Sequence, residues 1–130
     1  MAPVPRTILV VGSLNTDLTT RARRLPNPGE TITAQSFSTA PGGKGANQAV
    51  ACCRLARTSS DAPLDNISVK MVGAIGDDEF GSRLKDSLGR NRIDVEGVAV
   101  KEGISSGVAV IIVHAPSFHI IAELSLENPG

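Results

Sequence analysis

The stretch Pro41-Gly42-Gly43-Lys44-Gly45-Ala46-Asn47-Gln48 places three glycines, one cation and two side-chain amides in eight residues, immediately before a helical pattern. Glycines at a helix entry let backbone approach a ligand closely, and the first N–H groups of a helix have no partner within it. Lys44 and Asn47 add directional donors, so the stretch either holds an oxygen-rich ligand or serves as a bare turn into the helix. It is not a phosphate loop of the G-x-x-x-x-G-K-[ST] type. Gly45 follows Lys44, so the hydroxyl that would hold magnesium is missing, and a triphosphate is not expected here.

The helix that follows carries Ala46, Ala49, Val50, Cys53 and Ala56 at steps of three and four, a face of small residues suited to close packing on a sheet. Before it, Thr7-Ile8-Leu9-Val10-Val11-Gly12 reads as a strand buried on both faces, as in a parallel sheet. Leu18 to Leu25 and Thr31 to Ser38, around the turn residues Pro26 to Glu30, predict a hairpin inserted between that strand and the helix. Residues 58–66 read as a loop and Ile67 to Gly73 as a second core strand. Asp77-Asp78-Glu79 then opens a helix with Phe80, Leu84 and Leu88 as its buried stripe. Asp77 in this setting reads as a cap and not a catalytic base. A short strand near Val98 to Val100 precedes a second hairpin, Gly107 to Val113 and Phe118 to Leu124. The order β, hairpin, α, β, α, β, hairpin predicts an α/β layer fold whose hairpins pair into a separate small sheet. With about three core strands, apolar surface on Val10, Ile75 and Val110 would lack a partner layer, and poor solubility is expected of the isolated chain.

Composition narrows the partners. Thirteen Lys and Arg balance thirteen Asp and Glu without a basic run, and three Phe stand with no Trp or Tyr, so nucleic acid is not an expected ligand. The apolar run Ile8 to Val11 is too short for a signal core or a membrane span, and a cytoplasmic or nuclear location is expected. Cys52 and Cys53 match neither a zinc nor a redox spacing and read as helix packing residues. His114 and His119 lack a third ligand in sequence, and no metal site is expected.

In open α/β sheets ligands gather beyond the carboxyl ends of the strands, which places Asn15, Asp17, Gly43, Lys44 and Asn47 along one cleft edge. Asp17 can accept from two vicinal hydroxyls, and the amides and the lysine can bond further oxygens. Sugar hydroxyls are the ligand this set suggests.

Gly12-Ser13-Leu14-Asn15-Thr16-Asp17, Pro28-Gly29-Glu30-Thr31, Pro41 to Ala49, Gly73-x-x-Gly76-Asp77-Asp78-x-Phe80-Gly81 and Ser106-Gly107-Val108-Ala109, in this order, closely resemble the N-terminal part of the ribokinase-like carbohydrate kinases. The likeness runs from about Ile8 to about Ile121. It implies a partial doubly wound, Rossmann-like α/β core, over residues 1–17 and 40–104, and a β-sheet lid of two hairpins, over residues 18–39 and 105–124. It also implies ATP-dependent phosphorylation of ribose at O5, with magnesium and a monovalent cation, and a homodimer formed through the lid. Carried over by position, Asn15, Asp17, Gly43, Lys44 and Asn47 are the sugar-binding set. The later acidic sugar contact, the nucleotide-binding half and the Gly-Ala-Gly-Asp segment that supplies base and anion hole have no counterpart in this sequence. The expectation is therefore a truncated chain, inactive alone, with a sugar wall and lid but no catalytic base or ATP site. The other readings are a non-catalytic binding or dimerisation module and a kinase for another sugar or a nucleoside.

Overall fold

The computed structural model describes residues 4–57, 66–114 and 117–124, the last segment by its backbone. Strands β1 (Arg6–Val11), β4 (Ile67–Gly76) and β5 (Val98–Lys101) form a parallel sheet in the order β1-β4-β5. Helices α1 (Lys44–Leu55) and α2 (Glu79–Arg90) make the crossovers between them. A second sheet has the order β3-β2-β6-β7, from β2 (Asn15–Arg21), β3 (Ser36–Gly42), β6 (Gly107–His114) and β7 (Ser117–Leu124). Each hairpin is antiparallel within itself, and β2 joins β6 in parallel. The expected element order and the pairing of two hairpins into a separate sheet are both present. The predicted loop at 58–66 lies, but for Asn66, outside the described residues.

Strand order advances in one direction, so the right-handed crossovers set α1 and α2 on the same face of the parallel sheet. That face holds the core. Ala46, Ala49 and Cys53 of α1 and Leu84 and Leu88 of α2 close over Val10, Val69, Met71 and Ile75. Small side chains on α1 let it approach closely, and burying a Met, Leu or Ile fully contributes roughly 1.5–3 kcal/mol each. Cys53 is one of these packing residues and Cys52 is half-buried, both as free thiols, in line with the sequence reading.

Two expectations are corrected. Leu9 and Val11 are 58% and 70% exposed, so β1 is covered on one face only. A continuous apolar run marks a strand that can be sandwiched, and it does not supply the second layer. For the same reason Val10 and Ile75, expected to lack a partner layer, are buried beneath the helices.

The first hairpin also starts earlier than its apolar residues suggest. β2 begins at Asn15 and β3 runs through Pro41 to Gly42, leaving 22–35 as the loop. That loop is folded on itself: Arg24 grips both carboxylate oxygens of Glu30, Nη1 to Oε2 at 2.7 Å, and Asn27 N–H donates to Oε2 at 2.7 Å. The Arg24 hydrogen bond chiefly, then the Asn27 N–H, hold the Glu30 carboxyl down to about 2, from 4.5. A carboxyl depressed in this way adds order above its unfolded value and loses it as pH falls through its folded one. A carbon-detected NMR titration of Glu30 should therefore give a midpoint near 2, and Arg24→Ala should return it toward 4.5.

Candidate sugar-binding site

Ser13 builds the site by tying the exit of β1 to the entry of α1. Its Oγ accepts from Lys44 N–H and its carbonyl from Ala46 N–H, both at 3.1 Å. Two of the helix-start N–H groups expected to face a ligand are thus used internally. The sequence reading gave Ser13 no role; its signal was a hydroxyl directly after the glycine that ends the first core strand.

Gly43 precedes α1 with φ 95° and ψ 136°, a conformation open essentially to glycine. A Cβ there would stand 2.5 Å from Ser13 O and 2.8 Å from Asn15 N. The glycine loop and the start of β2 are therefore in backbone contact. On the next strand, Asn15 pairs with Gly42 and Asp17 with Ala40. The Asp17 carboxylate lies across β3 over Gly42, where a Cβ would meet its oxygens at 2.5 and 2.6 Å. Gly42 thus belongs to this constellation, although the sequence marks it only as one of three glycines at the helix entry and not as a member of the site set.

Asn15, Asp17, Gly42 and Gly43 come together on adjoining strands and the loop that leaves them. Asn15 is buried at 5% exposure and Asp17 is half-buried, while Lys44 is exposed at the first helical position. Asn47 is exposed one turn on, and with Pro41, Arg54, Leu84 and Asn91 it lines a cavity of about 510 Å³ between α1 and α2. The sequence-derived set thus divides between a strand-borne group and a helix-borne pair. Chemically the strand group offers a half-buried carboxylate and, two residues before it on β2, a side-chain amide, groups that can accept from and donate to hydroxyls.

The carboxylates at α2 differ from expectation. Asp78, not Asp77, caps the helix, accepting from Gly81 N–H at 2.9 Å, whereas Asp77 accepts from Gly103 N–H at 2.9 Å. Extended backbone at Asp78 is what a capping residue needs, and Asp77 lies one residue before it. Phe80, expected in the buried stripe, is half-buried and faces Thr16, Thr39 and Pro41 of the second sheet. Among the described residues no three of His, Cys, Asp and Glu gather as a metal site, and no helix is long and apolar enough to cross a membrane.

A model of the pfkB family of carbohydrate kinases matches residues 5–125. Ribokinase of Schizosaccharomyces pombe is 46% identical over 108 residues, 82% of this chain and 32% of that protein. Deoxyribokinase of Salmonella typhi is 41% identical over 124 residues, 93% of this chain and 36% of its own length. The solved structure of Arabidopsis thaliana ribokinase complexed with ribose and ATP matches with a TM-score of 0.73 at 30% identity, over 93% of this chain and 37% of that one. The chain spans about a third of the length of these relatives.

Proposed function

This chain belongs to the pfkB family of carbohydrate kinases, and from that membership we propose that it carries the sugar-binding wall and lid of a ribokinase-type enzyme that transfers phosphate from ATP to O5 of D-ribose. The observation that carries the reading is the Asp17 carboxylate laid over Gly42, on the strand that also bears Asn15 and beside the Gly43 turn. In this role Asp17 accepts from two vicinal hydroxyls, Asn15 and Asn47 bond flanking oxygens, and Lys44 and the Gly43 backbone close the loop side. Residues 18–39 and 105–124 act as the lid. Ribose is preferred as the sugar because the 46% identical relative is a ribokinase, and deoxyribose is the nearest competitor.

The entry of α1 does not fit a nucleotide and magnesium site. The position after Lys44 has no hydroxyl, Ser13 already engages the Lys44 and Ala46 N–H groups, and no carboxylate cluster accompanies them. On this proposal ATP, magnesium and the monovalent cation bind outside these residues, and so does the catalytic base. Phosphoryl transfer needs base, metal and anion hole together. In a coupled ATP-consumption assay with ribose, the 130-residue chain alone should show no turnover above background. Ribose-dependent turnover lost in Asp17→Ala would place the base among these residues and overturn that part of the proposal.

A second reading, a module that pairs through its lid with another copy, is favoured by one observation. Phe37 is 63% exposed on β3, an edge strand of the lid sheet, and exposed edges invite pairing.

A further inference from the structure

We propose that Asp78, acting through Ser106, is a positioning residue that sets strand β6 against β2 and thereby holds Asn15 and Asp17 in place; its functional meaning rests on the sugar-binding reading of those two residues.

β2 is flanked by β3 and β6, so its position depends on both pairings. The link to β3 runs through the long loop 22–35, and β6 runs parallel to β2, with no turn to fix the register between them. In a parallel pair the register must come from outside the ladder, and a slip of one residue turns every side chain to the other face. The fixing contacts lie immediately before β6. Ser106 N–H donates to Asp78 Oδ2 at 2.8 Å and Ser106 Oγ–H to Asp78 Oδ1 at 2.7 Å. The same Oγ accepts from Gly76 N–H at 2.9 Å, and Asp78 Oδ1 also accepts from Gly81 N–H at 2.9 Å. The carboxylate therefore joins the start of α2 to the residue that enters β6, and through the Ser106 hydroxyl to the end of β4.

Ser106 is 2% exposed, so its hydroxyl has no ready exchange for water. Gly107 follows it and pairs with Asn15, and two residues on Ala109 pairs with Asp17. Asp77 adds a second tether by accepting from Gly103 N–H at 2.9 Å. Burial pushes the Asp78 carboxyl up, and hydrogen bonds from Ser106 Oγ, Gly81 N and Ser106 N outweigh it, leaving the group below its usual value. It is thus ionised at neutral pH, and the bonds it accepts are charge-assisted.

The test reads amide hydrogen exchange by NMR on the 130-residue chain, with ribose affinity measured alongside. Ser106→Ala should speed exchange at residues 107–110 and 15–17 by about tenfold or more, the loss expected when a hydrogen bond to a charged group goes. Exchange at Val69 and Met71 should stay unchanged, ribose affinity should fall in step, and Ser106→Thr, which keeps the hydroxyl, should restore both. Unchanged exchange at 15–17, an equal rise at Val69 and Met71, or no rescue by threonine would overturn the proposal. Should Ser106→Ala fail to fold, Asp78→Asn is read by the same criteria, because it keeps an oxygen for Gly81 N–H and turns an N–H toward Ser106 N. A wild-type chain with no ribose affinity would overturn the sugar-binding reading, while the exchange comparison still decides whether Asp78 and Ser106 set β2.

Discussion

Gly43→Ala is expected to destabilise the chain by about 3 kcal/mol or more, a large effect for one methyl group. Two costs add. The backbone at this position, φ 95° and ψ 136°, is one that L residues with a Cβ occupy only under strain of order 1–3 kcal/mol. The added carbon would also stand 2.5 Å from Ser13 O and 2.8 Å from Asn15 N and Leu14 Cα. All three are backbone atoms, so no side chain can swing away to make room. Relief requires separating the α1 entry from the exit of β1, which breaks the Lys44 and Ala46 hydrogen bonds to Ser13. Chemical denaturation followed by circular dichroism measures the loss. A change below about 1 kcal/mol would mean that the loop is free to move and that its contact with Asn15 is not part of the fold.

Asp17→Ala carries the largest functional effect. On the proposed reading this carboxylate accepts from two sugar hydroxyls, and a hydrogen bond to a charged acceptor contributes about 1.5–3 kcal/mol. Removing both should weaken ribose binding about 100-fold or more. Stability should change less than in Gly43→Ala, because Asp17 is half-buried and its truncation drives no new atom into the backbone. On the proposed reading the two substitutions separate the roles within one loop and strand: Gly43 for the backbone geometry, Asp17 for the ligand.

Periodicity made the central elements legible. The three- and four-residue spacing of Ala46, Ala49 and Cys53 placed α1 and its buried face, and Leu84 and Leu88 did the same for α2. The two apolar runs 107–113 and 118–124, with Pro116 between them, placed β6 and β7. The start of β2 was not legible, because Asn15, Thr16 and Asp17 are polar and two of them are poor strand formers. They are extended because β3 and β6 pair with them on either side, a tertiary cause that no local pattern carries. The exposure of Leu9 and Val11 had a similar origin: an apolar run cannot say which layers will cover it. At the site, residue type pointed to Asn15 and Asp17, and the glycines to a close approach. What stayed hidden was where the helix-start N–H groups go, since Ser13 lies 31 positions before Lys44 in the chain.

Titrating ribose into the isotope-labelled 130-residue chain, with backbone and side-chain amide shifts as the readout, tests the central claim most directly. Saturable shifts at Asn15, Asp17, Gly43, Lys44 and Asn47, lost in Asp17→Ala while the remaining spectrum is retained, are the predicted result. No saturable shift at these residues in the folded wild-type chain, or shifts that survive unchanged in Asp17→Ala, would contradict it.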